Sequence, residues 1–457
     1  MTSPTPRPAF HFTANSGWIN DPLGLTWKDG TYHLFYQYVP GRTSWASNCH
    51  WGHATSPDMI AWTEQGVAVA PGDGDDGVWS GSIVTDSEGK ATMFYTSVTE
   101  PGIGIGTIRT ATPGDDSWDS WTKGGKLMSA PAADVIAYRD PFVFRDGGQW
   151  RMFVGAGLDG GTAAAISYSS ADLAEWTLDG IAARRPGSEK DPVWTGAMWE
   201  CPQLFEIDGS HVLVTSIWED DVLHYVAYGV GSYTDGKFEA RSWGRLSYGK
   251  SYYAPSFFRD KDGAPSLIFW VRGVISPADE TGSGQWASAL SVPHTLSLDG
   301  DTLVAVPHAD LGRYSTTARL EQTGDAVFET VLAEGADLRC TAVSGTVISL
   351  DALEGTLLRI SHDGNEARVT APGNADFTGV AFPLAEGAEL RIIVDAGVVE
   401  LSGPEGIMAV PLPIVDSPVT LALAGSGDEP RLKTVSRPAP GPELPYLAST
   451  SLPYLLG

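Results

Sequence analysis

The chain is short of positive charge. It carries 29 Lys and Arg against 56 Asp and Glu, and its formal net charge is −27. A surface of that sign repels phosphate, so nucleic acid and anionic membranes are disfavoured as partners. Cysteine is scarce too. Cys49, Cys201 and Cys340 are far apart and odd in number, which does not make a disulfide framework. No stretch approaches the roughly 20 apolar residues of a membrane span. No apolar run follows the arginine of the opening Met-Thr-Ser-Pro-Thr-Pro-Arg-Pro, so no signal peptide is expected. The simplest reading is a cytoplasmic protein, although a chain trimmed of its leader would read the same. Helical periodicity is thin, with one turn expected at Ala171 to Trp176.

What is present is tryptophan, glycine and turn chemistry. At 457 residues the chain exceeds one ordinary core, and two domains are expected. All 16 tryptophans fall between Trp18 and Trp286. That shift in composition places a boundary after Val306-Pro307-His308, giving domains at 1–312 and 318–457. Within the first, one unit recurs: an apolar run, an acidic-Gly turn, and a second apolar run. The turns are Asp29-Gly30, Glu88-Gly89, Asp146-Gly147, Asp208-Gly209 and Asp262-Gly263. Such a dipeptide between apolar runs is a strong hairpin signal. Copies about 60 residues apart leave room for four strands each, and five such units make a five-bladed β-propeller. The second domain holds short alternating runs such as Leu390 to Asp395 and Val398 to Leu401, which indicate an antiparallel β-sandwich. The Pro- and Leu-rich tail after Ser436 is expected to pack along the surface. The fold class is therefore all-β.

Just ahead of the hairpins stand the groups that carry chemistry. They are Asn20-Asp21-Pro22, Trp79-Ser80-Gly81, Arg139-Asp140-Pro141, Glu200-Cys201-Pro202 and Tyr253-Ala254-Pro255. Asn-Asp-Pro alone reads as an Asx-turn in a loop feeding the first strand. Its recurrence changes that reading. First strands of blades line a propeller's axis, so three acids, an arginine, a serine and a tyrosine converge there. Proline beside each acid suits an inner edge that needs no donor.

In that order, Trp18-Ile-Asn-Asp-Pro, Tyr138-Arg-Asp-Pro and Trp199-Glu-Cys-Pro resemble glycoside hydrolase family 32, the invertases, inulinases, levanases and related fructosyltransferases. Trp79-Ser-Gly-Ser, Leu34-Phe-Tyr-Gln-Tyr and Ala287-Ser-Ala-Leu-Ser-Val-Pro are similar to it as well. The resemblance covers nearly the whole chain. It implies a β-fructofuranosidase that releases fructose from sucrose or short fructooligosaccharides by retaining double displacement. Asp21 would attack the anomeric carbon, Glu200 would be the acid and then the base, and Asp140 would stabilise the oxocarbenium-like transition state. The substrate-binding residues carried over are Asn20, Gln37, Trp45, Trp79, Ser80, Arg139, Tyr253 and Trp270. Trp27, Trp62 and Trp150 read as packing residues. Leu23 departs from the Asn that most members carry, and its side chain is expected in a turn. Sucrose 6-phosphate would need a cationic pocket, for which Lys250 and Arg42 are candidates.

No cofactor and no metal is expected. His50 and His53 point to opposite faces of an extended strand. Gly102-Ile-Gly-Ile-Gly lacks the helix of a dinucleotide loop. Calcium on three acids fits the flanking Trp, Arg and Tyr less well than a sugar does. The partner expected is a small sugar, and oligomeric state is not legible. The alternatives are a fructosyltransferase of the same family, an inverting arabinan-type hydrolase, and a non-catalytic fructoside-binding propeller.

Overall fold

The computed structural model describes residues 7–278 and 284–438, and the tail from residue 439 onward lies outside them. Five antiparallel units follow one another around an axis. Blade 1 is Gly17–Lys28, Thr31–Val39, His50–Ser56 and Thr63–Val69. Blade 2 is Gly77–Thr85, Ala91–Val98, Thr107–Pro113 and Trp121–Ser129. Blade 3 is Val135–Asp146, Gln149–Leu158, Thr162–Ser170 and Thr177–Pro186. Blade 4 is Met198–Ile207, Ser210–Glu219, Val222–Thr234 and Lys237–Arg245. Blade 5 is Tyr252–Arg259, Pro265–Ile275, Trp286–Leu290, His294–Asp299 and Thr302–Pro307. Each acidic-Gly dipeptide joins a blade's first two strands. Asp29-Gly30 and Asp208-Gly209 have positive φ at both residues, as the tightest hairpin turn demands.

The ring closes through a parallel pairing. Gly17 and Trp18 of blade 1 lie against Trp286 and Ala287 of blade 5. The segment expected to be a loop is therefore strand from Gly17 onward, and Asp21 sits within it. Leu23 is not in a turn. It is 3% exposed and packs between blades 1 and 2 with Phe35, Trp51 and Val78. Ala171 to Trp176 forms bends and not a helical turn. Trp27 and Trp62 pack in the blade 1 core, and Trp150 in that of blade 3, as their strand-like positions suggest.

The inner strands share one device. Each breaks register with its neighbour at the same level: between Ile19 and Pro22, Trp79 and Gly81, Arg139 and Phe142, Glu200 and Gln203, and Tyr253 and Ser256. A β-bulge leaves residues unpaired and re-aims side chains, here towards the axis. Asp140, Cys201 and Ala254 have φ of 66°, 48° and 41° at these bulges. Non-glycine residues adopt that region at a cost, and such strain is found where a site is held by its surroundings. The interrupted ladders are repaired from the preceding blade, which keeps buried backbone groups satisfied. Ser82 Oγ donates to Pro141 O and accepts from Val143 N, Thr96 Oγ1 accepts from Asp140 N, and Ser216 Oγ accepts from Ala254 N.

A short 3₁₀ helix, Ala309–Tyr314, leads into two seven-stranded sheets packed face to face. Leu338, Leu350, Ile360, Ile392, Leu401 and Leu423 fill the space between them. This sandwich is tied to the propeller by a buried polar cluster. The Asp395 carboxylate accepts from the backbone N–H groups of Ala9, Phe10 and His11, and His11 Nδ1 lies 2.8 Å from Asp395 Oδ2. His11 Nε2 is 3.2 Å from Glu400 Oε1, which also accepts from Val292 N. Burial alone would lower the His11 pKa. Glu400 and Asp395 outweigh it and push the imidazole up to about 9. Ser247–Tyr248 adds a short parallel strand to the edge at Gly406–Pro411.

Candidate active site

The bulges bring the expected acids together in two hydrogen-bonded groups. The first is built around Asp21. Asn20 Nδ2 donates to Oδ1 at 3.0 Å, while Ser80 Oγ and Gln37 Nε2 donate to Oδ2. Gln37 also donates to Ser80 Oγ, and Trp18 Nε1 to Asn20 Oδ1 at 3.2 Å. Both carboxylate oxygens are thus held, which fixes the plane of the group. Burial, opposed by the Ser80 and Asn20 bonds and reinforced by the charge of Glu200, pushes the Asp21 pKa up to about 6.

The second group spans three blades. Arg139 Nε and Nη2 both reach Glu200 Oε1 at 2.9 Å, and Tyr253 OH donates to Glu200 Oε2 at 2.6 Å. Arg139, Glu200 and Tyr253 occupy the same position before the bulge on blades 3, 4 and 5. Burial works against the Arg139 charge, but Glu200 and Asp140 outweigh it and raise its pKa.

Asp140 joins the two groups. In register its equivalent on blade 4 is Cys201, not Glu200. The Cys201 N–H donates to Asp140 Oδ2 at 3.0 Å, and Cys201 Sγ lies 3.7 Å from that oxygen and 3.9 Å from Asp21 Oδ2. Burial first, and then the charge of Glu200, push Asp140 up to about 7. Three carboxyls in one buried space resist ionising together.

The aromatic candidates divide. Trp79 is anchored by Nε1 donating to Ser47 O at 2.7 Å, and its ring meets that of Trp45 edge-on at 5.8 Å. Trp45 is 45% exposed. Trp270 is 5% exposed and packs edge-on against Trp18 at 5.7 Å. Lys250 and Arg42 do not join the acids. Lys250 pairs with Asp376 of the sandwich at 2.5 Å, and both Lys250 and Arg42 are exposed. His53 is buried with Nδ1 3.1 Å from Asp119 Oδ1 and Nε2 3.1 Å from His33 Nδ1, while His50 Nδ1 lies 3.1 Å from Asn48 O. Among the described residues no group of three His, Cys, Asp or Glu is arranged to hold a metal ion.

Sequence reasoning overlooked Cys201 as a member of the acid cluster. The signal lay in the shared register of Asp140-Pro141, Cys201-Pro202 and Ala254-Pro255. It also overlooked Thr96, and Trp218, whose ring lies 5.5 Å from the Arg139 guanidinium carbon.

Residues 11–307, which hold all of these groups, match the family described as glycosyl hydrolases family 32 N-terminal domain. The chain belongs to glycosyl hydrolase family 32. A sucrose-6-phosphate hydrolase of Escherichia coli is 34% identical over 316 residues, covering 66% of this chain and 64% of that protein. A fructan 6-exohydrolase of Beta vulgaris is 30% identical over 340 residues, covering 67% of this chain and 55% of its own. The match thus spans less than two thirds of the length of these relatives. Among solved structures, the fold resembles the family 32 β-fructofuranosidase of Bombyx mori, with a TM-score of 0.79, 22% identity and 96% of each chain covered. A family 32 glycoside hydrolase of Bifidobacterium adolescentis gives a TM-score of 0.80 at 20% identity, over 95% of this chain and 82% of its own. These family 32 neighbours share the propeller-plus-sandwich architecture.

Proposed function

We propose that this family 32 protein is a β-fructofuranosidase that works by double displacement. The observation that carries the reading is the division of labour among the acids. Asp21 is stripped of mobility by three donors, as an attacking carboxylate should be. Glu200 instead sits between a guanidinium and a phenol, with 15% of its side chain exposed. It is the group placed to protonate a leaving oxygen and then to take a proton from water. Asp140, buried and held by the Cys201 N–H, is placed to grip fructose hydroxyls and to offset positive charge at the ring oxygen. Asn20, Gln37, Ser80 and Arg139 supply the polar contacts, and Trp45 and Trp79 the apolar wall.

Sucrose or a short fructooligosaccharide is the substrate class we favour. Related proteins are named for sucrose 6-phosphate and for fructan, and a family 32 β-fructofuranosidase mutant from Bombyx mori is described in complex with sucrose. The pairing of Lys250 with Asp376 disfavours it as a phosphate grip. Transfer to a sugar acceptor is the second reading, because both reactions share the Asp21 step.

The test is chromatography of products from concentrated sucrose. Equal glucose and fructose means hydrolysis, while excess glucose with new oligosaccharides means transfer. Added methanol should yield methyl β-fructofuranoside, and the α-anomer would exclude double displacement. Failure to act on sucrose, inulin, levan and sucrose 6-phosphate would leave the binding-protein alternative.

A further inference from the structure

The Tyr253 hydroxyl stands 2.6 Å from Glu200 Oε2 and 3.1 Å from the carbonyl oxygen of Ile217. A phenol has one proton and donates it to one acceptor at a time. The other Glu200 oxygen, Oε1, already faces two Arg139 N–H groups. It has no room for a proton, so the proton of a neutral Glu200 belongs on Oε2. There it takes the lone pair that Tyr253 does not use, and the protonated oxygen becomes a much weaker acceptor than a carboxylate oxygen or a backbone carbonyl. The Tyr253 proton then goes to the stronger acceptor. Ile217 O is the acceptor within reach, at a point where pairing of the second and third strands of blade 4 is interrupted.

The ring itself is fixed. Tyr253 is 2% exposed. The Arg272 guanidinium carbon lies 5.0 Å from its centroid, and Trp270 stands edge-on at 6.4 Å. Arg272 is tied in turn to the carbonyls of Leu223 and His224, at 3.2 and 3.4 Å. Only the hydroxyl hydrogen is free to move.

We propose that Tyr253 is a positioning residue for Glu200, its hydroxyl reversing between Glu200 Oε2 and Ile217 O as Glu200 passes from acid to base, with Arg272 holding the ring. This rests on the fructosidase reading above. In the first half-reaction the Oε2 proton passes to the leaving oxygen, the C–O bond electrons go with that oxygen, and Asp21 bonds to the anomeric carbon. Glu200 is left ionised and the Tyr253 hydroxyl turns to donate to it. In the second half, water gives a proton to Oε2 and its oxygen displaces Asp21. The Tyr253 hydroxyl turns back to Ile217 O. Tyr253 neither gains nor loses a proton. The charged and titratable groups around the pair are Arg139 and Asp140 from blade 3, Asp21 from blade 1, Cys201 from blade 4 and Arg272 from blade 5. Asp376 of the sandwich acts on Arg272 from beyond.

The test compares wild type with Tyr253→Phe, Arg272→Met and Arg272→Lys across pH. Each is assayed on sucrose and on 4-nitrophenyl β-fructofuranoside, whose phenolate leaves with little need of a proton. Tyr253→Phe should lower kcat on sucrose about ten- to a hundredfold, the range for a lost hydrogen bond to a charged group, with KM little changed. It should move the basic limb of kcat/KM up by about one pH unit, because the donor that favours ionised Glu200 is gone. The loss on the aryl fructoside should be smaller. Arg272→Met should shift the limb the same way by less, and Arg272→Lys should restore it. If Tyr253→Phe does not fold, the Arg272 pair decides the limb. Equal losses on both substrates with an unmoved limb would overturn the proposal alone. A wild type that releases no fructose from either substrate would overturn the fructosidase reading, and this proposal with it.

Discussion

Asp140 and Cys201 hold the same place on neighbouring blades, and the amide of one donates to the carboxylate of the other at 3.0 Å. Both are in the left-handed region, and both are buried. The contact holds Asp140 in a space where burial and like charge work against its ionisation.

That cost should be measurable as stability. The folded pKa of Asp140 is raised to about 7. Between the ordinary carboxyl range near 4 and about 7, the folded state binds more protons than the unfolded one, so stability falls as pH rises. Asp140→Asn keeps the φ that Asn tolerates and removes the charge. Thermal melts should place this variant above wild type near pH 8, with the gap closing by about pH 4, while turnover is lost. A variant less stable than wild type near pH 8 would contradict the origin assigned to the shift.

The acid side of the activity profile should report Asp21. An attacking carboxylate must be ionised, and this one is pushed up to about 6, so kcat/KM should fall as pH drops through that value. Ser80→Ala removes a donor to Asp21 Oδ2. The acid limb should then move to higher pH and the rate should drop about tenfold, as for one lost charge-assisted bond. An unmoved limb would separate Ser80 from Asp21.

The link between the domains should lose stability with rising pH as well, but in a higher window. His11 is raised from 6.5 to about 9 on folding. A histidine so raised contributes stability that is fully present below its unfolded value and is lost as pH rises through about 9. His11→Leu leaves Asp395 and Glu400 buried without their cation, which should cost about 3 kcal/mol or more near pH 7. The difference from wild type should shrink above about pH 10, and melts at the two pH values test this.

Leu23→Asn introduces an amide among Phe35, Trp51 and Val78. Burying a polar group without partners, and losing the leucine's packing, should cost about 2–4 kcal/mol in denaturant titration. Affinity for a fructoside should change little, since the side chain packs between blades. A stabilised variant would mean that the amide finds partners there.

Much of this architecture was legible because it repeats. The five acidic-Gly turns gave the blade count, and the prolines after Asp21, Asp140, Cys201 and Ala254 marked the inner edge. The structure brings the three acids and most of their expected polar partners together. What stayed hidden is geometry that leaves no periodic trace. Asn15 to Gly24 read as a loop because its turn formers resemble those of one, yet the strand around the bulge begins at Gly17. The bulges decide which side chains meet, and the contacts of Glu200 with both Arg139 and Tyr253 are of that kind. His11 looked like any polar residue near a terminus, since the carboxylates that bury it are supplied by the other domain.

The parallel pairing of Gly17 and Trp18 with Trp286 and Ala287 has a consequence for the order of assembly. The blade carrying Asp21 has no partner on its open edge until nearly the whole propeller has been made. The segment ahead of it waits longer, because His11 meets Asp395 across 384 positions of sequence. Contacts between such distant segments form late, since loop closure must precede them. The residue assigned the attack is thus made before the other four blades and secured after them. A truncated or slowly made chain would carry Glu200 and Asp140 on formed hairpins with no competent site between them.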